Sequence, residues 1–358
     1  HPVLQVTHDV NWTESDGQLS IQLEQVQDEP PFKINVPIEV HTNEGVERFV
    51  VSMADRQATI DLTVKSKPLW VDVDPKNALL MVTLQEKSAE ELAYQFHNAQ
   101  DLFDRMGALE GLDRIAASDS GAVDLGEIQL MNELLIGALS DPHGTVRAMA
   151  LGYASDEAFR TDTTESVILG LLEDKNTEVR AYAMVVLAEF YGMQDVALCQ
   201  AALNDRSYTV MAGGLEALSL IDPQLALQEA KKLEEEDSWD LQLAVGDVIA
   251  NYGSLEDEEY FYRKMESENA YERYLGYLNY STFISDKDPA VIDRGVDRLI
   301  EAFQSPTPID SYAGRQALQG LQQEYSFEIE TAEDPNSPEV TFLRGIVQKI
   351  ASVLTTMN

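Results

Sequence analysis

The chain has 358 residues, and because its 63 Asp and Glu outnumber its 25 Lys and Arg, its formal net charge at pH 7 is −38. Such a surface repels phosphate backbones and anionic lipid headgroups, which argues against nucleic acid as a partner. Cys199 is the single cysteine, so an internal disulfide and a cysteine-rich zinc site are both excluded. No apolar run reaches the roughly 18 residues of a membrane span.

Apolar and polar residues alternate from residue 3 to about residue 85, which is the period of half-buried β-strands. Leu19, Ile21 and Leu23 form one such set, and a longer set runs from Phe32 to Val40. Leu80, Val82 and Leu84 form the last set, and turn residues separate the runs. About six or seven short strands at this spacing predict an antiparallel β-sandwich over residues 1–86.

After residue 86 the apolar period lengthens to that of α-helices and stays so to the C-terminus. Ser88 and Glu91 have the spacing of a capping box, which predicts a helix start. We therefore expect residues 87–358 to form a second, all-helical domain.

An internal repeat lies in the helical part. Each copy has a Leu, an Asp two residues later, then an inner Val with Arg or Met after it, and a small residue: Asp141, Val146, Arg147 and Ala150; Asp174, Val179, Arg180 and Ala183; and Asp205, Val210, Met211 and Gly214. This pattern predicts an α-α superhelix of HEAT-like repeats, in which the Asp caps the next helix and the small residue marks a close helix crossing. An Arg after the inner Val can reach the Asp of its own or of the neighbouring repeat, so we expect these residues to be structural.

A search for catalytic motifs finds none. The sequence has no H-E-x-x-H, no glycine-rich phosphate loop and no G-x-S-x-G elbow. His97 and His143 are expected to have surface or capping roles. The acidic runs at residues 234–237 and 256–259 lack the ligand spacing of a calcium loop, so solvated helix ends are expected there.

Half of the 14 tyrosines lie between residues 252 and 280. Because a tyrosine has an apolar body and a polar tip, such a group can line a wall that contacts peptides. It can equally fill helix crossings, and we favour this packing role for the group. Arg263 and Arg273 are cations in the same stretch, and surface ion pairing accounts for them as well as ligand binding does.

Four stretches of the N-terminal part resemble the small β-sandwich of the aminopeptidase N family. They are HPVLQV at residues 1–6, LSIQLEQVQ at 19–27, FKINVPIEV at 32–40 and KPLWVDVDP at 67–75. The following residues Asp101, Arg105, Ala108, Leu109 and Leu112 are similar to the first helix of that family's C-terminal helical domain.

The resemblance implies that this chain is similar to the last two domains of a zinc metallopeptidase. The zinc-binding H-E-x-x-H helix and the G-x-M-E-N strand of that family precede the sandwich, and the chain opens at His1 with strand-like sequence. We therefore expect a piece of a longer protein that holds no cofactor itself, with zinc in the missing catalytic domain. The expected partners are that catalytic domain and, through it, peptide substrates.

The resemblance also implies a role. The helical domain would close the active-site chamber and limit peptide entry, with the sandwich as a spacer. The candidates for facing the chamber are Tyr271, Tyr274, Tyr277 and Arg273.

Two alternatives stay open: a HEAT-repeat scaffold for protein partners that never had peptidase chemistry, and a family member that has lost catalysis. An independent hydrolase is disfavoured, because no nucleophile and base have suitable spacing. The sequence assigns no compartment, and a bacterial cytoplasm or periplasm fits it equally.

Overall fold

The computed structural model describes residues 17–113 and 124–355 with their side chains, and residues 3–9 and 356 by their backbone alone. The chain divides into two compact units, His1–Val179 and Arg180–Asn358. The last strand ends at Gln85 and the first helix begins at Ala89. The predicted domain boundary between residues 86 and 87 stays a prediction.

The first unit opens with a β-sandwich, as the alternating pattern predicts. Its strands are β1 Val3–Asp9, β2 Gln18–Gln25, β3 Ile34–Thr42, β4 Gly45–Met53, β5 Gln57–Thr63, β6 Pro68–Val73 and β7 Val82–Gln85. They form a four-stranded sheet in the order β5-β2-β1-β7 and a three-stranded sheet in the order β4-β3-β6. All neighbouring strands are antiparallel except β1 and β7, which are parallel.

The sandwich core comes from the alternating positions of its strands. Leu19, Ile21 and Leu23 of β2 are buried and pack in one cluster with Val36 and Ile38 of β3. The last predicted set behaves differently, since Leu80, Val82 and Leu84 are all exposed. The prediction of a half-buried face there is wrong, because Leu80 precedes β7 and the side chains of Val82 and Leu84 on β7 face solvent rather than the sandwich core.

Helices follow without further strands in the described residues. In the first unit these are α1 Ala89–Asn98, α2 Leu102–Leu109, α3 Leu125–Leu139, α4 Gly144–Ala154 and α5 Asp162–Leu171. Helix α6 Thr177–Phe190 contains the division between the units. In the second unit they are α7 Val196–Ala202, α8 Tyr208–Ile221, α9 Pro223–Lys232, α10 Trp239–Tyr252, α11 Glu258–Met265, α12 Ala270–Ser285, α13 Pro289–Phe303, α14 Pro308–Thr331 and α15 Pro338–Thr356. The predicted class, an all-β start followed by a HEAT-like helical solenoid, is confirmed.

The predicted start of α1 is confirmed, and the first of the two hydrogen bonds of a capping box is present. The Ser88 hydroxyl accepts the Glu91 backbone N–H at 3.2 Å, which satisfies a donor that the helix leaves unpaired. The Glu91 carboxylate accepts the backbone N–H of Val71 at 3.0 Å. A residue predicted as part of a cap therefore also ties the first helix to strand β6.

The repeated aspartates hold the turns between helices, but they are not the capping residues themselves. Asp141 accepts the backbone N–H of His143 at 2.7 Å, and His143 is the N-cap of α4, where its Nδ1 accepts from Thr145. Asp205 accepts from Ser207, the N-cap of α8, in the same way. The prediction that the Asp caps the next helix is thus wrong by two positions, while the capping role expected for His143 is confirmed.

Alternate helices of the second unit pack side by side. Helices α8, α10, α12 and α14 form one layer, in which each contacts the next, and α7, α9, α11 and α13 pack against this layer. The predicted small residue at a close crossing is confirmed at Gly214, where an added Cβ would lie 2.6 Å from the Cβ of Ala202. No helix in the described part of the chain combines the length and the apolar character that crossing a membrane requires.

Candidate functional site

A surface cavity of about 370 Å³ lies in the second unit, at the N-terminal ends of α10 and α12. The loop between α9 and α10 forms one wall, and α11 with the start of α12 forms the other. The lining residues are Glu234, Glu235, Glu236, Asp237, Tyr260, Arg263, Lys264, Ser267 and Glu272. A smaller cavity that shares Tyr260, Lys264 and Glu272 adjoins it.

Gln242 of α10 positions the acidic loop. Its side-chain Nε2 lies 3.0 Å from the carbonyl oxygen of Glu234 and 2.8 Å from that of Glu236. Its Oε1 accepts a hydrogen bond of 2.6 Å from Nζ of Lys264 on α11. One amide side chain therefore joins both walls of the cavity.

The cations of the cavity are already engaged by its carboxylates. Arg263 Nη2 lies 2.6 Å from Glu234 Oε2 and its Nη1 lies 3.4 Å from Glu235 Oε1. Lys264 Nζ lies 3.8 Å from Glu272 Oε1 and sits over the ring of Tyr260. Since five carboxylates line the cavity against two cations, it carries net negative charge and suits cationic groups better than anionic ones.

The cavity does not hold the parts of a hydrolytic site. Ser267 Oγ donates to Glu272 Oε2, and Ser267 also accepts the backbone N–H of Asn269, so this hydroxyl stabilises the turn before α12. Burial raises the pKa of Tyr260 well above its usual range, so its hydroxyl stays protonated. The cavity offers charged groups and the ring of Tyr260 as its means of contact.

Zinc does not fit the residues described. Over residues 17–113 and 124–355, no three His, Cys, Asp or Glu side chains come together in a way that could hold a metal ion. The placement of zinc in a separate catalytic domain stays a prediction.

Several of the clustered tyrosines fill helix crossings, which is the role that we favoured for the group. Tyr280 of α12 is fully buried, and its hydroxyl donates to Glu258 Oε1 at 2.8 Å. Tyr262 donates to the same oxygen at 2.6 Å, and Arg294 of α13 contacts both oxygens of Glu258 at 2.7 Å. The second acidic run therefore contributes to a network between helices rather than only to a solvated end.

The four candidate residues occupy different environments on α12. Tyr271 is 65% exposed and meets the ring of Trp239 edge-on at 5.3 Å. Tyr274 stacks on Tyr312 of α14 at 6.0 Å. Tyr277 is half-buried, and burial raises the pKa of its hydroxyl.

Arg273 serves the fold. Its Nε donates to Asp310 Oδ1 at 2.8 Å, and its Nη1 donates to the backbone carbonyl of Ser267 at 2.9 Å. The structure thus brings Tyr271 and Tyr274 to exposed or stacked positions, while Arg273 joins α12 to α14. A role for any of the four in facing a peptide chamber stays a prediction.

Sequence reasoning missed Trp239 and Gln242. Trp239 follows the acidic run 234–237 after a single residue and is 48% exposed, which is uncommon for the largest apolar side chain. Its place directly after an acidic loop was a usable signal. Gln242 offered none, because its contacts depend on how α10 and α11 pack.

Comparison with solved structures shows the fold. The chain is similar to Legionella pneumophila aminopeptidase A, solved in complex with aspartic acid, with a TM-score of 0.53 and 10% sequence identity. The similarity covers 98% of this chain and 49% of that one, so this chain spans about half the length of that protein. No family model matches the sequence, and no curated protein matches it either.

Two further solved structures match the chain with lower TM-scores. The Escherichia coli protein YibA is 16% identical to this chain, with a TM-score of 0.43. The match covers 73% of this chain and 92% of the YibA chain. A chain in the complex of CpcE and CpcF of phycocyanin lyase from Nostoc is 14% identical to this chain, with a TM-score of 0.45. The match covers 74% of this chain and 95% of that chain.

Proposed function

We propose that this chain is the non-catalytic C-terminal region of a zinc aminopeptidase, in which the helices cover the active-site chamber and limit peptide access. The sandwich acts as the spacer between them and the catalytic domain. The observation that carries the proposal is the similarity to an aminopeptidase over 98% of this chain, strands and helices together. The stretches that resemble the aminopeptidase N sandwich support it independently.

The division of labour follows from what the chain contains. It lacks the H-E-x-x-H and G-x-M-E-N motifs, so binding of zinc and of the substrate amine falls to the parent's catalytic domain. Stacked helix pairs offer an extended surface that suits a covering role. The exposed ring of Tyr271 is the best placed of the candidates to meet a peptide.

The test begins with the parent gene. We expect the residues that precede His1 to contain both motifs, and their absence would remove the peptidase proposal. In the full-length parent, Tyr271→Ala is expected to change KM for long peptides and to leave dipeptide turnover unaltered. Phe327→Ala, which removes another exposed ring, is the matched control. Equal KM values for Tyr271→Ala and the parent would remove this residue from the chamber.

The second candidate is a HEAT-repeat scaffold without peptidase activity, including a catalytically inactive family member. The exposed and adjacent rings of Trp239 and Tyr271 favour it, because exposed aromatic side chains commonly anchor protein partners. A full-length parent that shows no turnover of aminoacyl substrates with added zinc would favour the scaffold.

A further inference from the structure

In the second unit, the helices of one layer carry exposed aromatic and acidic side chains. Helices α7, α9, α11 and α13 pack against the layer α8-α10-α12-α14. Exposed residues recur on the layer helices themselves: Tyr208 and Glu216 on α8, Trp239 and Asp247 on α10, and Tyr271 on α12. We call these five residues the aromatic–acidic face.

The rings of this face lie at matching positions. Tyr208 and Trp239 are the first residues of α8 and α10, and Tyr271 is the second residue of α12. Trp239 and Tyr271 are in contact at 5.3 Å with their ring planes at 78°. The Tyr208 hydroxyl lies 3.0 Å from Glu236 Oε2, which joins the first ring to the acidic loop. The rings therefore form a row across three successive layer helices.

Two carboxylates lie further along the same helices. Glu216 and Asp247 each follow the ring of their helix by eight residues, about two helical turns. Partial desolvation raises the pKa of Glu216, and the negative charge of Asp247 on the next layer helix raises it further. Among the ion pairs of the described residues, neither has a Lys or Arg partner.

The negative charge around the aromatic–acidic face indicates which kind of partner it suits. The acidic loop at residues 234–237 contacts Tyr208 through Glu236, and the net charge of the whole chain is −38. The neighbouring cations Arg263 and Arg273 already contact Glu234 and Asp310, and Arg206, an exposed cation, precedes α8 at the edge of the face. This balance favours a cationic partner, and Lys and Arg are also the side chains that stack on Trp and Tyr rings.

We propose that the aromatic–acidic face binds an extended protein segment rich in Lys and Arg. The rings of Trp239 and Tyr271 contact its cationic side chains, and Glu216 and Asp247 pair with further cations along it. This inference does not rest on the proposed peptidase role, because a binding scaffold would use the face in the same way.

Direct titration of the full chain tests the proposal. Three fluorescently labelled peptides of equal length are used: a Lys/Arg-rich peptide, a Glu-rich peptide and a neutral Ser/Gly peptide. We expect the basic peptide to bind and the other two to bind far more weakly. Trp239→Ala combined with Tyr271→Ala is expected to weaken binding at least about tenfold. Phe327→Ala, an exposed ring outside the face, should leave it unchanged.

A matched pair of charge variants separates a defined site from general attraction to an acidic protein. Glu216→Gln with Asp247→Asn removes two carboxylates from the face, and Glu256→Gln with Glu259→Gln removes two exposed ones outside the layer helices. We expect the first pair to weaken binding several-fold more than the second.

Three results would overturn the proposal. Equal losses for the two charge pairs would mean non-specific attraction. Neutral peptide binding as tight as basic binding would mean an apolar occupant. Self-association of the chain that is lost in Trp239→Ala would mean that the face is covered by a second copy. The charge pairs decide the question even if the double ring variant does not fold.

Discussion

Arg147 and Asp174 form a buried, two-pronged ion pair between successive helical repeats. Arg147 Nε lies 2.7 Å from Asp174 Oδ2, and Nη2 lies 2.6 Å from Oδ1. The third nitrogen, Nη1, donates to the backbone carbonyl of Asp141 in the arginine's own repeat at 2.6 Å. Sequence spacing left both aspartates open as partners, and the structure uses the neighbouring side chain together with its own backbone.

Arg147→Met is expected to destabilise the protein by about 3 kcal/mol, because it leaves a buried carboxylate without its cationic partner. Arg147 is 5% exposed and the Asp174 side chain is 9% exposed, so solvent replaces little of the lost contact. Chemical denaturation measures the effect. The more exposed pair Arg180–Asp205, at 3.4 Å, provides the control, with about 1 kcal/mol or less expected for Arg180→Met. Equal losses for the two variants would contradict this account.

Asp72 is expected to make the protein less stable as the pH rises from about 4 to about 7. Burial, and next the neighbouring Asp104, raise the pKa of Asp72 to about 7. The unfolded chain loses this proton near its ordinary value of 3.8. The contribution of Asp72 to the free energy of unfolding is therefore fully present below about pH 4. It is lost as the pH rises to about 7, and the free energy of unfolding falls by up to about 4 kcal/mol over this range.

Asp72→Asn removes this titration. Thermal unfolding of the variant between pH 5 and pH 8, at constant ionic strength, should show a smaller loss of stability with rising pH than the parent shows. Asp61→Asn, at an exposed position of β5, controls for the general effect of removing one charge. Parallel pH profiles for the parent and Asp72→Asn would show that Asp72 titrates normally.

Two glycine substitutions are expected to have opposite signs. Gly214→Ala places a Cβ 2.6 Å from Ala202 Cβ and 3.1 Å from the Cys199 carbonyl oxygen, so α7 and α8 must separate, at a cost of about 1–3 kcal/mol. Gly320→Ala on α14 meets nothing within 4 Å and should stabilise by about 0.5–1 kcal/mol through helix propensity. Melting temperatures of the two variants check the prediction, and a stabilised Gly214→Ala would refute the close crossing.

Tyr280→Phe is expected to destabilise by about 1 kcal/mol, because the fully buried ring keeps its packing but its hydroxyl no longer donates to Glu258. Burial raises the pKa of Tyr280 above its usual range, with Tyr262 and Glu258 adding to the effect, so the hydroxyl is a donor at all ordinary pH values. Tyr312→Phe, at a ring that is 54% exposed, is the control, and denaturation should show no change for it.

The sequence indicated which segments contribute to the candidate site, but not which residues contact each other there. The acidic run 234–237 and the tyrosine-rich stretch stand out in the sequence, and both reach the same end of the second unit. The partners did not stand out: Arg273 meets Asp310 and Glu234 meets Arg263 across gaps of 37 and 29 residues. Such pairs depend on which helices become neighbours, and local patterns carry no information about that.

The sequence by itself determined the two periods, the repeat and its small residue, because strand and helix geometry set which positions must be apolar or small. It therefore predicted the sandwich core around Leu19 and Ile21 and the crossing at Gly214. Only the tertiary structure decided that Leu80 and Val82 are exposed to solvent and that the ring of Trp239 contacts that of Tyr271. These outcomes depend on contacts between residues that are far apart in the sequence. Such contacts form, and stabilise the protein, only when the helices and strands pack together.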